Sequence, residues 1–152
     1  MTRIEALLDT NVLVAASAPG HQHHEASAAL LNGADAERFA VADHSFAEAY
    51  NTLTRRGEFA PYRWTAQEAA VALGVIRSIT MLVGLTPGQT YEAVRDYAAD
   101  GGIGARVYDK LIGQAAVLHG IPAIVTWNAR HMRGLFPELE VVTPGEWRKA
   151  AG

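Results

Sequence analysis

Short apolar runs at residues 4–8, 39–42, 81–85, 121–126 and 140–142 alternate with longer stretches carrying helix signals, and this alternation restricts the fold more than any other feature. A short apolar run between turn or cap residues reads as a buried strand, whereas apolar positions three and four apart read as a helix face. Strand followed by helix along the whole chain predicts an α/β fold, a mostly parallel central sheet flanked by helices. The 152 residues, 49% of them hydrophobic, are expected to form one domain, 1–152, around one core, with no repeat or linker.

Cap residues place the elements. Ile4-Glu5-Ala6-Leu7-Leu8 ends at Asp9 and leads through Asn11-Val12-Leu13-Val14 to Pro19-Gly20, which reads as strand, sharp turn and short helix. Helical spacing runs from His23 to Leu31 with Asn32-Gly33 as its stop, and Asp43 or Ser45 is expected to cap a helix reaching about Arg56 before Gly57. Thr65-Ala66-Gln67-Glu68 matches a capping box, as do Thr86-Pro87-Gly88-Gln89 and Thr143-Pro144-Gly145-Glu146. Gly101-Gly102-Ile103-Gly104 separates the helix after Thr86 from one beginning near Arg106, which Gly120 closes.

With no cysteine in the chain, disulfides, thiolate zinc sites and cysteine nucleophiles are excluded, and a cytoplasmic setting is the simplest expectation. The start, Met1-Thr2-Arg3 and one short run to Asp9, predicts neither a signal peptide nor a membrane span. A formal charge of -3 is not that of a general phosphate binder, so any nucleic-acid contact needs a local basic patch. Lys stands only at 110 and 149 and the other basic residues are Arg, the better partner for phosphate.

In open parallel sheets the functional crevice lies at the C-terminal ends of the strands, which directs attention to acids placed there. Asp9 follows an apolar strand, a position suited either to capping the Thr10-Asn11 turn or to reaching into that crevice. Glu48 sits in a helix between small neighbours and fits a solvated face as well as a site. Asp109 lies in a first helical turn, where the helix dipole favours an acid in any case. A hard divalent cation such as Mg²⁺ requires oxygen ligands of this kind, gathered from separate elements, with positions left for water and phosphate.

Leu7-Leu8-Asp9-Thr10-Asn11-Val12-Leu13, Ser45-Phe46-Ala47-Glu48-Ala49-Tyr50, Val107-Tyr108-Asp109-Lys110-Leu111-Ile112 and Val125-Thr126-Trp127-Asn128-Ala129-Arg130-His131 resemble the four ordered motifs of PIN domains. The resemblance runs from Ile4 to about Pro144 and is nearest in character to VapC-type toxins. It implies an Mg²⁺- or Mn²⁺-dependent endoribonuclease, the toxin of a type II toxin–antitoxin pair, with RNA as substrate, a cognate antitoxin as partner and a homodimeric state. It further implies that Asp9, Glu48 and Asp109 hold the metal, that Asn128 completes the catalytic set, and that Thr10, Asn11 and Thr126 shape the site. The chain departs from the family pattern at Asn128, where Asp is common, and at His131, often an acid. A neutral amide ligates through oxygen but adds no charge, which weakens the case for a second tightly held ion.

His131 is a candidate for touching substrate, whereas His21, His23 and His24 read as a polar helix entrance, and His44 and His119 as structural or exposed. Arg55, Arg56, Arg63, Arg130 and Arg133 are candidates for RNA phosphate contacts, with solvated surface arginine as the ordinary alternative. Phe59, Tyr62 and Trp64 fit either base stacking or loop anchoring, and Trp127 and Trp147 fit the core or an interface. Two other classes share a strand-end aspartate. An aspartyl-phosphate phosphatase of the haloacid-dehalogenase type needs an acid where Asn11 stands, and a receiver module needs an acidic pair and a lysine placed elsewhere than Lys110. A PIN fold kept only to bind RNA or protein is the third alternative, and Asn128 is the residue in its favour.

Overall fold

The computed structural model describes residues 3–32 and 36–151. Its elements follow the order β1 (Ala6–Leu8), α1 (Thr10–Ser17), α2 (His24–Leu31), β2 (Phe39–Ala42), α3 (Asp43–Thr54), α4 (Ala66–Ile79), β3 (Met81–Val83), α5 (Pro87–Ala99), α6 (Val107–Leu118), β4 (Ala123–Val125), α7 (Ala129–Leu135), β5 (Glu140–Val142) and α8 (Pro144–Ala151). The strands form one five-stranded sheet in the order β3-β2-β1-β4-β5, and every pairing is parallel. The predicted α/β class is therefore what the chain adopts.

Strand periodicity divides the core in two, because successive side chains point to opposite faces of a sheet. Ala6, Leu8, Phe39, Val41 and Val125 join Val12, Leu13, Leu30, Leu53 and Leu73 of α1–α4 on one face. Leu7, Ala40, Ala42 and Ile124 join Ile112, Ala115 and Met132 of α6 and α7 on the other. With both faces covered, the three central strands β1, β2 and β4 are apolar throughout rather than alternating, whereas the edge strands β3 and β5 are partly exposed. On the second face α6 and α7 approach closely at Gly113, where a Cβ would collide with the Phe136 ring. Bare backbone there admits the aromatic side chain.

The element boundaries shift from expectation in ways the capping explains. Thr65, Thr86 and Thr143 all accept from the backbone N–H three residues on, and Thr86 with Gln89 completes the reciprocal box. Neither Asp43 nor Ser45 caps α3. The cap residue is Ala42, without a side-chain bond, while Asp43 Oδ1 accepts from the His44 N–H inside the first turn and Ser45 is buried. α3 stops at Thr54 and the short turn Gly104–Arg106 precedes α6, whose end is closed by Gly120 at φ 66°. α2 stops at Leu31; Gly33, expected to help end it, lies outside the described residues.

β1 pairs with β2 on one side and with β4 on the other. The chain thus builds outward from β1 to β3 and then returns across β1 to lay down β4 and β5. Between β1 and β4 the strand order reverses, and at such a point the helices that follow diverge to opposite faces and leave a crevice beyond the strand ends.

Candidate active site

Asp9 and Thr126 are the first residues beyond β1 and β4, and because Leu8 is in register with Val125 they emerge side by side. Asp9 Oδ1 accepts from the Thr10 N–H at 2.7 Å and caps α1, while Oδ2 accepts from the Thr126 hydroxyl at 2.7 Å. That hydroxyl accepts in turn from Asn11 Nδ2 at 3.1 Å and from the Asn128 N–H at 2.9 Å. One donor and two acceptor lone pairs are all that a threonine hydroxyl possesses, so Thr126, fully buried, is saturated. Asn11 Oδ1 also accepts from the Trp127 N–H at 3.1 Å, which ties the β1 turn to the β4 turn twice.

Glu48, on α3, enters the same crevice from the β2 side, and Asp109, in the first turn of α6, enters from the other face. Asp9, Glu48, Asp109 and Asn128 line one cleft of about 340 Å³ together with Thr10, Asn11, His21 and Tyr62. Thr10 Oγ1 reaches Glu48 Oε1 at 3.5 Å. Two histidines stand behind the acids. His44 Nε2 is 3.4 Å from Glu48 Oε1, and His131 Nε2 is 3.3 Å from Asp109 Oδ2, both buried and too poorly angled to count as hydrogen bonds.

The electrostatics follow from that crowding. Burial, reinforced by the Asp109 charge, pushes the Asp9 carboxyl from its ordinary 3.8 up to about 6, against the opposing pull of Thr126 and the Thr10 N–H. Burial and the charges of Asp9 and Asp109 push Glu48 from 4.5 up to about 7. Burial raises Asp109 too, with Arg106 opposing. Neither histidine neutralises them, because burial holds the pKa of both His44 and His131 below the usual histidine range. The cleft therefore concentrates acid oxygens without adequate counter-charge.

A divalent cation fits this donor set. Among the described residues no three His, Asp or Glu side chains close into a finished metal cage. Mg²⁺ seldom requires one, since it is ordinarily bound by one or two carboxylates with several waters retained. The three acids and the Asn128 amide offer hard oxygens on an open cleft, and a cation would relieve the repulsion that raises Asp9 and Glu48.

Because the Asp9 pKa lies higher in the folded than in the unfolded chain, the folded form binds the extra proton between about pH 4 and pH 6. Stability is thus lost as pH rises through that window. For this nearly buried group, 4% exposed, the loss is roughly 3 kcal/mol. His44 and His131, whose values burial lowers, work in the opposite direction, so the comparison needs a variant. In chelator, the stability of the wild-type protein relative to Asp9→Asn is expected to fall by about that amount between pH 4 and pH 7. Denaturant titrations giving parallel profiles would remove the assigned cause.

Other residues singled out in the sequence are distributed unevenly. Arg56 donates to the Arg63 and Trp64 carbonyls and Arg63 to that of Gly57, so both pin the loop after α3; Arg133 holds the Val141 carbonyl. Arg55 and Arg130 are exposed. Tyr62 lines the cleft and also packs on the core, Trp64 packs on the core, and Phe59 projects, 88% exposed. Trp127 stacks on His23 at 3.8 Å and donates to Ser27, and His24 meets the Ala15 carbonyl, so His23 and His24 serve packing. His44 and Arg106 were not singled out for the site, yet each stands one helical turn before an acid, at positions 44/48 and 106/109, a spacing visible in the sequence.

The PIN domain family model matches residues 6–133. No curated protein is a significant sequence match. Among solved structures, VapC20 of Mycobacterium tuberculosis, described as a sarcin-ricin loop cleaving toxin, superposes with a TM-score of 0.63 at 14% identity, over 79% of this chain and 87% of that one. VapBC2 from Rickettsia felis, bound to a promoter DNA fragment, gives 0.58 at 18% identity over 90% and 96%. FitAcB from Neisseria gonorrhoeae gives 0.57 at 19% over 92% and 98%. At these identities the likeness is one of fold.

Proposed function

Since the chain belongs to the PIN-domain family, we propose that it is a divalent-metal-dependent endoribonuclease, the toxin half of a toxin–antitoxin pair. The observation that carries this reading is the convergence of Asp9, Glu48 and Asp109, from three separate elements, on one cleft at the point where strand order reverses. The nearness in fold to a toxin that cleaves the sarcin-ricin loop supports RNA as the substrate class.

In this reading Asp9, Glu48 and Asp109 hold the ion and Asn128 completes the catalytic set. When bound, Mg²⁺ or Mn²⁺ supplies Lewis-acid stabilisation of phosphodiester charge and activation of water. The chain's own residues set the geometry. Thr126 and the Thr10 N–H fix both oxygens of Asp9, and the Thr10 hydroxyl steadies Glu48. The Asn128 backbone is tied to Thr126 while its side chain faces the cleft without a capping duty, so it is free to orient water or phosphate. Of the arginines that are candidates for RNA phosphate contacts, Arg55 and Arg130 are exposed and hold no backbone carbonyl among the described residues, so these two are the ones left to meet RNA. A cognate antitoxin whose basic or apolar segment covers the acidic cleft, and a homodimeric state, belong to the same proposal.

Among the described residues no helix is long and apolar enough to cross a membrane. The test is cleavage of end-labelled RNA by the purified chain with Mg²⁺, with Mn²⁺ and with chelator. Cleavage only with metal is expected. RNA that binds but stays intact in all three conditions would favour a PIN fold kept for binding, the reading to which Asn128 lends weight.

A further inference from the structure

Arg106, at the end of the short turn before α6, and His131, on α7, meet beside Asp109. Arg106 Nη1 lies 2.9 Å from His131 Nδ1, and the other ring nitrogen, Nε2, lies 3.3 Å from Asp109 Oδ2. A guanidinium donates hydrogen bonds, accepts none and does not give up its proton. Nδ1 must therefore be the acceptor, for a ring protonated there would set two donors against each other at 2.9 Å. A neutral imidazole carries one ring proton, and with Nδ1 unprotonated it resides on Nε2. That nitrogen is buried and has no hydrogen bond of good angle, so Asp109 Oδ2 is the oxygen within its reach.

We propose that Arg106 and His131 form a tautomer lock that positions Asp109. Arg106 keeps the His131 proton on Nε2, 3.3 Å from Oδ2, where a small rotation of either side chain completes a bond to that oxygen and leaves Oδ1 as the one Asp109 presents to the cleft. His131 is then neither a metal ligand, since Nε2 has no lone pair to give, nor a substrate contact. It is a positioning residue, acting through the carboxylate. A carboxylate restricted to one oxygen suits a small cation of strict octahedral geometry, whereas Ca²⁺ takes bidentate carboxylates readily. The lock therefore selects for ions of the Mg²⁺ and Mn²⁺ class. The metal consequence rests on the function proposed above, while the lock itself can be read without any ion.

Long-range ¹H–¹⁵N correlation on the metal-free protein reports directly which ring nitrogen of His131 carries the proton. The Nε2–H tautomer is expected in the wild type and in Arg106→Lys, and a mixture of tautomers in Arg106→Ala. Calorimetric titration is expected to show Mn²⁺ binding weakened about 10–100-fold in His131→Ala. His131→Gln, which returns an N–H near the Nε2 position, should restore most of it. Ca²⁺ affinity should rise relative to Mn²⁺ in the alanine variant alone. An Nδ1–H tautomer in the wild type, or His131→Ala binding Mn²⁺ as the wild type does, overturns the proposal. A wild-type protein that binds no Mn²⁺ overturns the proposed function and the ion selectivity together, and the tautomer signal then still decides the lock.

Discussion

Asp9→Asn, Glu48→Gln and Asp109→Asn should each lower metal-dependent RNA cleavage by about 10²–10⁴-fold, corresponding to roughly 3–5 kcal/mol of lost transition-state stabilisation. Each substitution keeps the shape of a side chain that lines the cleft and removes its charge, so it tests the anion itself. Folding should survive in all three, because the acids are held charged against their preference, as the raised pKa values of Asp9 and Glu48 show. Single-turnover cleavage at saturating Mn²⁺, with a thermal melt of each variant, provides the measurement. Wild-type rates in any two variants would sink the assignment. Asn128→Ala should cost less than Asp109→Asn, since it deletes a neutral amide; equal losses would make Asn128 a primary ligand or substrate clamp.

The second large effect is expected at Thr126. Valine has the same shape but cannot donate to Asp9 Oδ2 or accept from Asn11 Nδ2 and the Asn128 N–H, so the buried Asp9, the half-buried Asn11 and the exposed Asn128 would each lose a partner. Leaving such groups unsatisfied costs about 2–4 kcal/mol in all. For a domain of this size that lowers Tm by about 5–15 °C. Thr126 also holds the Asp9 pKa down, so its removal should move the acid limb of the pH–rate profile upward. Thr126→Ser keeps the hydroxyl and should keep most of both properties. A valine variant that melts with the wild type and shows an unshifted acid limb would refute the role of this hydroxyl.

Much of the fold was legible in the sequence because its signals are local. Apolar runs at 39–42 and 140–142 are the observed strands, and threonine caps at 65, 86 and 143 start helices where expected. Asp43 and Ser45 misled as caps because a preferred cap residue says nothing about which side of the helix boundary it occupies. At the site, the positions of Asp9, Glu48, Asp109 and Asn128 came from motif resemblance, and the structure gathers them in one cleft. What periodicity does not carry is orientation. His131, a candidate for shaping the site or touching substrate, stands beside Asp109, and Arg56, Arg63 and Arg133, candidates for phosphate contacts, hold backbone carbonyls. Those outcomes depend on contacts between residues far apart in the chain.

The reversal of strand order between β1 and β4 also fixes when the site comes into being. The bond from Thr126 to Asp9 joins residues 117 positions apart, and nothing nearer in the chain takes its place beside β1 on that side of the sheet. Contacts of such separation form late, since the intervening loop must be closed before they repay its entropy. At ribosomal rates of about 5–20 residues per second, roughly 6–23 s pass between the addition of Asp9 and that of Thr126. A growing chain that already contains Asp9, Glu48 and Asp109 still has no β4 to seat the first of them. Under the function proposed above, competence to cut RNA is thereby tied to near-completion of the domain, and a nascent fragment lacking β4 is expected to be inert.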